Sequence, residues 1–176
     1  WSFSFMESGS KDFPNSFQCI DALEVSLSIE KQGFLYYDKA AKSAVDPRAR
    51  NIFKRLADDE KEHMQSLQSK ARFLQPALKS KTLHRKGRVE SFIENKILGK
   101  VFPAPVEYKS KTCTIETDLE ALNIGIDSEK KSIEILSQLV VSEKKMDVRV
   151  IFNHLLIEEK KHLVVLEELK QTLIQE

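Results

Sequence analysis

Cysteine is scarce in this chain. Its 176 residues include two cysteines, Cys19 and Cys113, which lie far apart and outside any CxxC pair. Two isolated thiols can build neither a disulfide framework nor a four-thiolate metal site. Such low cysteine usage is typical of a reducing compartment. We therefore expect a cytoplasmic protein in which both thiols are unpaired, with a redox role for either as the less favoured alternative.

The sequence also lacks an excess of either charge and lacks a long hydrophobic run. Lys and Arg number 28 against 27 Asp and Glu, so the net charge of +1 creates no field that would collect a polyanion or an anionic membrane. No window approaches the roughly 18 apolar residues of a membrane span, and the first residues lack the features of a signal peptide. We expect no nucleic-acid partner and no membrane partner.

One short stretch is nevertheless basic. It contains Lys79, Lys81, Arg85, Lys86 and Arg88. Short runs of like charge usually face solvent, which favours a solvated loop. The alternative is a docking site for an anion or for an acidic partner.

Glycine and proline are few, with five of each, and most of them lie outside two stretches at 16–74 and 116–175. Apolar residues recur in both stretches at steps of three and four, which predicts long helices. Within the first stretch, Asp46 and Pro47 predict a helix boundary, since Asp caps a helix and Pro suits its first position. With 41% hydrophobic residues, the chain can enclose one core.

The segment between the two stretches, residues 76–115, is predicted to be a crossover connection. Its interruptions are Gly87, Gly99, Pro103 and Pro105. A short helix over 88–98 is predicted inside it, because apolar residues share one side there. Residue 1 is Trp, and we expect residues 1–15 to be an N-terminal extension whose first few positions are non-native or a truncated start.

The two helical stretches repeat one pattern. Setting residue n against residue n+99 over 21–70 needs no gap. It pairs Leu23 with Leu122, Arg50 with Arg149, Phe53 with Phe152 and Leu56 with Leu155. Each copy is predicted to be a helical hairpin, the first over 16–75 and the second over 116–176. Two hairpins joined by a long connection predict one all-α domain, a four-helix bundle over 16–176.

The repeat also duplicates a set of polar residues. Each half has a lone Glu on its first helix and a Glu-x-x-His on its second: Glu30 with Glu60 and His63, and Glu129 with Glu159 and His162. The i, i+3 spacing places each Glu and His on one face. Because each lone Glu and its motif Glu are equally far from the turn, antiparallel helices bring them level. The other histidines, His84 and His154, lack an acidic residue three positions upstream and are expected to be ordinary.

Four carboxylates and two imidazoles in a bundle interior need compensation, and two divalent ions would cancel the four charges. Glu30 with His63 and Glu129 with His162 are then terminal ligands. Glu60 and Glu159 would bridge the ions. Oxygen-rich ligation with one imidazole per ion favours iron, or manganese at one or both positions. The same motif set is the known template of ferritin-like di-iron carboxylate bundles.

On these motifs the chain resembles the rubrerythrin branch of the ferritin-like superfamily. The resemblance covers 19–72 and 118–172 and rests on the segments IEKQGFLYYDKA, DPRARNIFKRLADDEKEHMQ and IFNHLLIEEKKHLVVLEEL. Rubrerythrins are non-haem di-iron proteins that reduce hydrogen peroxide, and relatives oxidise ferrous iron with dioxygen or peroxide. The resemblance implies that all six duplicated residues occupy ligand positions. It also implies a homodimer and a role in oxidative stress.

Three further positions qualify this resemblance. Tyr37 matches a tyrosine that neighbours the family's di-iron site, although a core aromatic is the alternative. Peroxidase-type rubrerythrins carry an extra Glu where this chain has Ser132, and the equivalent position of the first half is Gly33. The chain also lacks the paired CxxC motifs of a rubredoxin module. Electrons would then come from an external donor such as a rubredoxin-like protein, or from ferrous iron itself.

The sequence leaves three functions open. The first is an oxidoreductase in which two irons reduce peroxide or dioxygen. The second is a ferritin-like protein that binds iron or oxidises ferrous iron without peroxidase turnover. The third is a metal-free structural bundle whose duplicated motifs are vestigial.

Overall fold

The computed structural model describes residues 17–74, 83–103 and 115–175. The predicted N-terminal extension lies outside this part of the chain, as do Cys113, Pro105, Lys79 and Lys81. The side chains of His84, Arg85 and Lys86 also lie outside it. Within the described ranges the protein is entirely helical, with five α-helices and no strand.

The helices are α1 (Cys19–Ser43), α2 (Pro47–Leu74), α3 (Leu83–Phe92), α4 (Ile115–Ser142) and α5 (Met146–Ile174). α1 packs along α2 and α4 packs along α5, and the two hairpins face each other to form a four-helix bundle. The predicted fold class, an all-α bundle of two hairpins, is confirmed. No helix in the described part of the chain is long and apolar enough to cross a membrane.

The turn between α1 and α2 shows why the second helix begins where it does. Oδ1 of Asp46 accepts the backbone N–H groups of Arg48 at 2.7 Å and of Ala49 at 3.4 Å, as an N-cap does. The side-chain hydrogen bonds from the Arg48 guanidinium, helped by these backbone bonds, hold the pKa of Asp46 at about 2. Asp118 on α4 accepts the N–H groups of Val45 and Asp46. The second hairpin therefore holds the turn of the first.

The turn between α4 and α5 is held by a carboxylate of its own. Glu143 accepts the N–H groups of Lys144 and Lys145 at 2.8 and 2.9 Å. It also accepts the N–H of Phe17, which precedes α1, at 2.8 Å. Phe17 is buried, and its ring meets those of Phe92 and Phe152 edge-on. These contacts hold the start of the described chain against the turn between α4 and α5.

The crossover helix is longer than predicted. α3 begins at Leu83 rather than near 88 and continues into a π-helical turn at Ile93–Ile97. Gly87, predicted as an interruption, lies inside α3 at an exposed position, where a helical glycine costs only about 1 kcal/mol. Val89, Phe92 and Ile97 are buried against the bundle. Their packing supplies what the weak local propensity of this segment lacks.

Candidate metal centre

Six polar side chains meet in the middle of the bundle. We refer to them as the six-residue cluster: Glu30 from α1, Glu60 and His63 from α2, Glu129 from α4, and Glu159 and His162 from α5. The four glutamates are at most 1% exposed, and His162 is 4% exposed. The side chain of His63 is 24% exposed and forms the edge of the cluster that faces solvent.

The two histidines contact different carboxylates. Nδ1 of His63 lies 3.3 Å from Oε2 of Glu30. Nδ1 of His162 lies 3.4 Å from Oε1 of Glu60, 3.8 Å from Oε2 of Glu159 and 3.9 Å from Oε1 of Glu129. The imidazole rings stack, with centroids 5.9 Å apart and an interplanar angle of 17°. All six side chains are thus within the reach of a dinuclear centre.

Donor atoms close enough to share one ion fall into two groups. The enclosed group is Glu60, Glu129, Glu159 and His162, and the open group is Glu30, Glu60 and His63. In each group, one donor atom per residue lies within 4.8 Å of the others. Glu60 belongs to both groups, whereas Glu159 belongs only to the enclosed one. The bridging and terminal roles of these residues remain predictions.

Most of the oxygen and nitrogen atoms of the cluster that could bind a metal ion have no hydrogen-bond partner. Among the described residues, nine buried side-chain atoms lack one, and seven of these belong to the cluster. They are Glu30 Oε1, both oxygens of Glu60, Glu129 Oε2, both oxygens of Glu159, and Nδ1 of His162. Buried polar atoms are normally paired, because leaving one unpaired costs about 1–3 kcal/mol. Cations would give these atoms partners.

Burial also shifts the ionisation of the cluster. It raises the pKa of Glu30 to about 8, an effect that the charge of Glu159 increases and the contact with Glu60 opposes. Burial and neighbouring carboxylates raise the pKa of Glu60 and of Glu129 well above the ordinary value. Burial alone would lower the pKa of His162, but its contact with Glu60 raises it. Without metal, protons must reduce the repulsion among these carboxylates.

Gly33 makes room for the shared carboxylate. It lies on α1, one turn after Glu30, and a Cβ placed on it would meet Oε1 of Glu60 at 2.6 Å and Cδ at 2.9 Å. Its counterpart in the second half is Ser132, which is fully buried and whose hydroxyl has no hydrogen-bond partner. The sequence contained a signal for this role, a glycine inside a helix that otherwise excludes glycine. Glycine is needed at this position because the Glu60 side chain of α2 comes so close to α1.

Tyr37 contacts the cluster directly. Its hydroxyl donates a hydrogen bond to Oε1 of Glu129, and its ring is fully buried against Tyr36, Phe53 and Phe102. Burial, together with the charge of Glu129, raises the pKa of the phenol well above its ordinary value. Tyr37 therefore stays protonated and fixes one oxygen of Glu129. It is both a core aromatic and a neighbour of the cluster.

We expect Tyr37→Phe to weaken metal binding about tenfold, because partners that orient a ligand typically contribute 10- to 100-fold to affinity. Tyr36→Phe is the matched control, since the Tyr36 hydroxyl donates instead to the main-chain oxygen of Ala121. Both substitutions should lower the free energy of unfolding by about 1 kcal/mol. Calorimetric titration with Mn²⁺ measures the affinity. Equal affinities in the two variants would mean that the Tyr37 hydroxyl serves stability alone.

Three other polar residues, His154, Cys19 and Glu158, lie outside the six-residue cluster. His154 is exposed on α5. Sγ of Cys19 lies 3.0 Å from Oδ2 of Asp147, and burial followed by that contact raises the thiol pKa to about 11. A thiol with so high a pKa is a poor nucleophile and a poor metal ligand. Both oxygens of Glu158, next to Glu159, accept from Lys161.

Comparison with known proteins bears on this centre. A family model described as Rubrerythrin matches residues 21–170 of the chain. The match runs from the first turn of α1 to the last turns of α5 and includes the whole six-residue cluster. Searches of curated proteins and of solved structures returned no match.

Proposed function

The chain belongs to the rubrerythrin family, and from that premise we propose that it is a di-iron protein that reduces peroxide or dioxygen. The observation that carries the proposal is the set of seven buried donor atoms without hydrogen-bond partners. Carboxylate oxygens with one imidazole per ion suit ferrous and ferric iron, and manganese suits the same donors. The donor set therefore fits the metal that the family implies.

Within this proposal, each residue has a distinct part. Glu30 and His63 would hold one ion, Glu129 and His162 the other, and Glu60 would contribute to both. Glu159 would complete the enclosed group. The carboxylates balance the cationic charge in an interior that excludes most water, which strengthens each electrostatic interaction there. Tyr37 would keep Glu129 in its orientation through its hydroxyl.

The chemistry itself needs electrons and protons. Reduction of hydrogen peroxide to two water molecules consumes two electrons and two protons, and bound iron would supply the electrons by changing from ferrous to ferric. An external donor, such as a rubredoxin-like protein, would restore the ferrous state. The exposed edge at His63 gives a small oxidant a route to the cluster. We also propose that the protein acts as a homodimer, the commonest symmetric assembly.

The exposed edge at His63 also favours a second candidate function. An ion can reach the open group from solvent, which suits a protein that binds ferrous iron as substrate and oxidises it. Such a protein would oxidise added ferrous iron but would not consume peroxide repeatedly when an artificial electron donor is present. The two functions use the same cluster and differ in turnover.

We expect Glu60→Ala and His63→Ala to slow peroxide consumption and ferrous-iron oxidation by at least about tenfold, because loss of a ligand costs no less than loss of its supporting partner. His154→Ala, which removes an exposed histidine of α5, is the matched control and should keep the wild-type rates. Stopped-flow absorbance of the iron-loaded proteins gives both rates. Wild-type rates in Glu60→Ala would refute a catalytic role for the cluster.

A further inference from the structure

We infer that the two metal positions are unequal: the enclosed group binds its ion first and more tightly, and the open group binds a second, exchangeable ion. This inference rests on the proposed function, since it concerns the same centre. It adds an order of filling, which the duplicated sequence does not suggest. In a repeat of two equal halves, the two positions would be equivalent.

The groups differ in the number of donors and in their charge. The enclosed group offers three carboxylates and one imidazole, whereas the open group offers two carboxylates and one imidazole. Because Glu60 belongs to both groups, an ion bound in the enclosed group already neutralises part of the charge of Glu60. The second ion then meets Glu30 as its one unshared carboxylate. Coulomb attraction therefore favours the enclosed position for the first ion and weakens the second.

The groups also differ in their access to solvent. The side chains of the enclosed group are at most 6% exposed, while the side chain of His63 is 24% exposed. An ion in the enclosed group is screened little by water, and it can leave only past other side chains. An ion in the open group has one ligand at the solvent edge. Its exchange should accordingly be faster.

Two sequence differences between the halves of the repeat account for the inequality of the two metal positions. Gly33 lets the Glu60 carboxylate lie against α1, where it reaches both groups, but Ser132 stands at the matching place of the second half. The phenol of Tyr37 fixes Glu129. The residue that matches Tyr37 in the second half is Leu136, which cannot donate a hydrogen bond to Glu30. The first half therefore supplies Glu60 to the enclosed group and orients Glu129 through Tyr37. The second half contributes no matching residue to the open group.

The test is an anaerobic Mn²⁺ titration of the metal-free full chain, followed by calorimetry and by electron paramagnetic resonance. We expect two binding phases with affinities at least tenfold apart. At one equivalent the spectrum should show isolated Mn²⁺, and spin coupling between two ions should appear only during the second phase. His63→Ala should keep one tight ion, whereas His162→Ala should lose the tight phase. His162→Gln serves as a second variant if the alanine protein does not fold.

Three results would overturn the inference. One is a single phase with coupled ions from the first addition, which means equal or cooperative positions. Another is loss of the tight phase in His63→Ala with its retention in His162→Ala. Both results leave the proposed function standing, because two ions still bind. Absence of any Mn²⁺ or Fe²⁺ binding by the wild-type protein would instead overturn the proposed function and this inference with it.

Discussion

Replacing Gly33 with alanine should abolish the binding of one metal ion and weaken the other at least tenfold, while the bundle stays folded. The added methyl would lie 2.6 Å from Oε1 of Glu60, well inside contact distance. The carboxylate is the end of a flexible side chain, so it can move away without displacing the helices. That movement takes the shared ligand out of both groups.

The stability of Gly33→Ala separates this effect from unfolding. Alanine is favoured over glycine inside a helix by about 1 kcal/mol, which offsets part of the strain. Gly125→Ala is the matched control, because Gly125 is also buried in a long helix, and its added Cβ would meet its nearest atoms at 3.4–3.5 Å. Metal content after Fe²⁺ loading and thermal denaturation measure the two effects. Two bound ions in Gly33→Ala would show that Glu60 is not shared.

Metal-free protein should become less stable as the pH rises from about 5 to about 8. The pKa of Glu30 is about 8 in the folded protein against 4.5 without burial, and burial raises the pKa of Glu60 and Glu129 as well. The folded state therefore holds more protons than the unfolded state in this window. The stability that these protons provide is complete below about 4.5 and is lost as the pH passes the folded pKa.

We expect the melting temperature of the metal-free protein to fall by about 5 °C or more over this range. One carboxylate titrating across one pH unit contributes about 1.4 kcal/mol, and each kcal/mol corresponds to about 3 °C for a chain of this size. Protein loaded with Mn²⁺ should lose less, because ions replace the protons and bind only the folded state. Scanning calorimetry at several pH values measures both. A metal-free protein that gains stability toward pH 8 would contradict the assignment.

Much of the fold could be predicted because its signals are local. The apolar period of 3.6 residues identified the long helices. Asp46 with Pro47 identified the residue at which α2 begins. The 99-residue repeat then fixed the pairing of the hairpins. The start of α3 could not be predicted in this way, because Gly87 argues against a helix locally. Burial of Val89, Phe92 and Ile97 against the bundle outweighs that preference.

The composition of the cluster could also be predicted, and its asymmetry could not. Equal spacing of Glu30 and Glu60 about their turn places them level, and the structure brings all six side chains together. The division of these residues into an enclosed and an open group depends on how closely the Glu60 side chain of α2 approaches Gly33. It also depends on which carboxylate the Tyr37 hydroxyl reaches. Both are distances between side chains or backbone of different helices, which the spacing within one helix does not determine. Their role as metal ligands stays a prediction until an ion is measured.

The turn contacts have a consequence for the history of this duplicated chain. Asp118 on the second hairpin holds the turn of the first, and its counterpart in the repeat is Cys19, a thiol that contacts Asp147 instead. Glu143 likewise holds Phe17, and its counterpart is Ala44. Both carboxylates lie on the second hairpin, so a bundle of two copies of the first hairpin would lack them. The halves descend from one pattern but are no longer interchangeable, so each has become a specialised partner of the other.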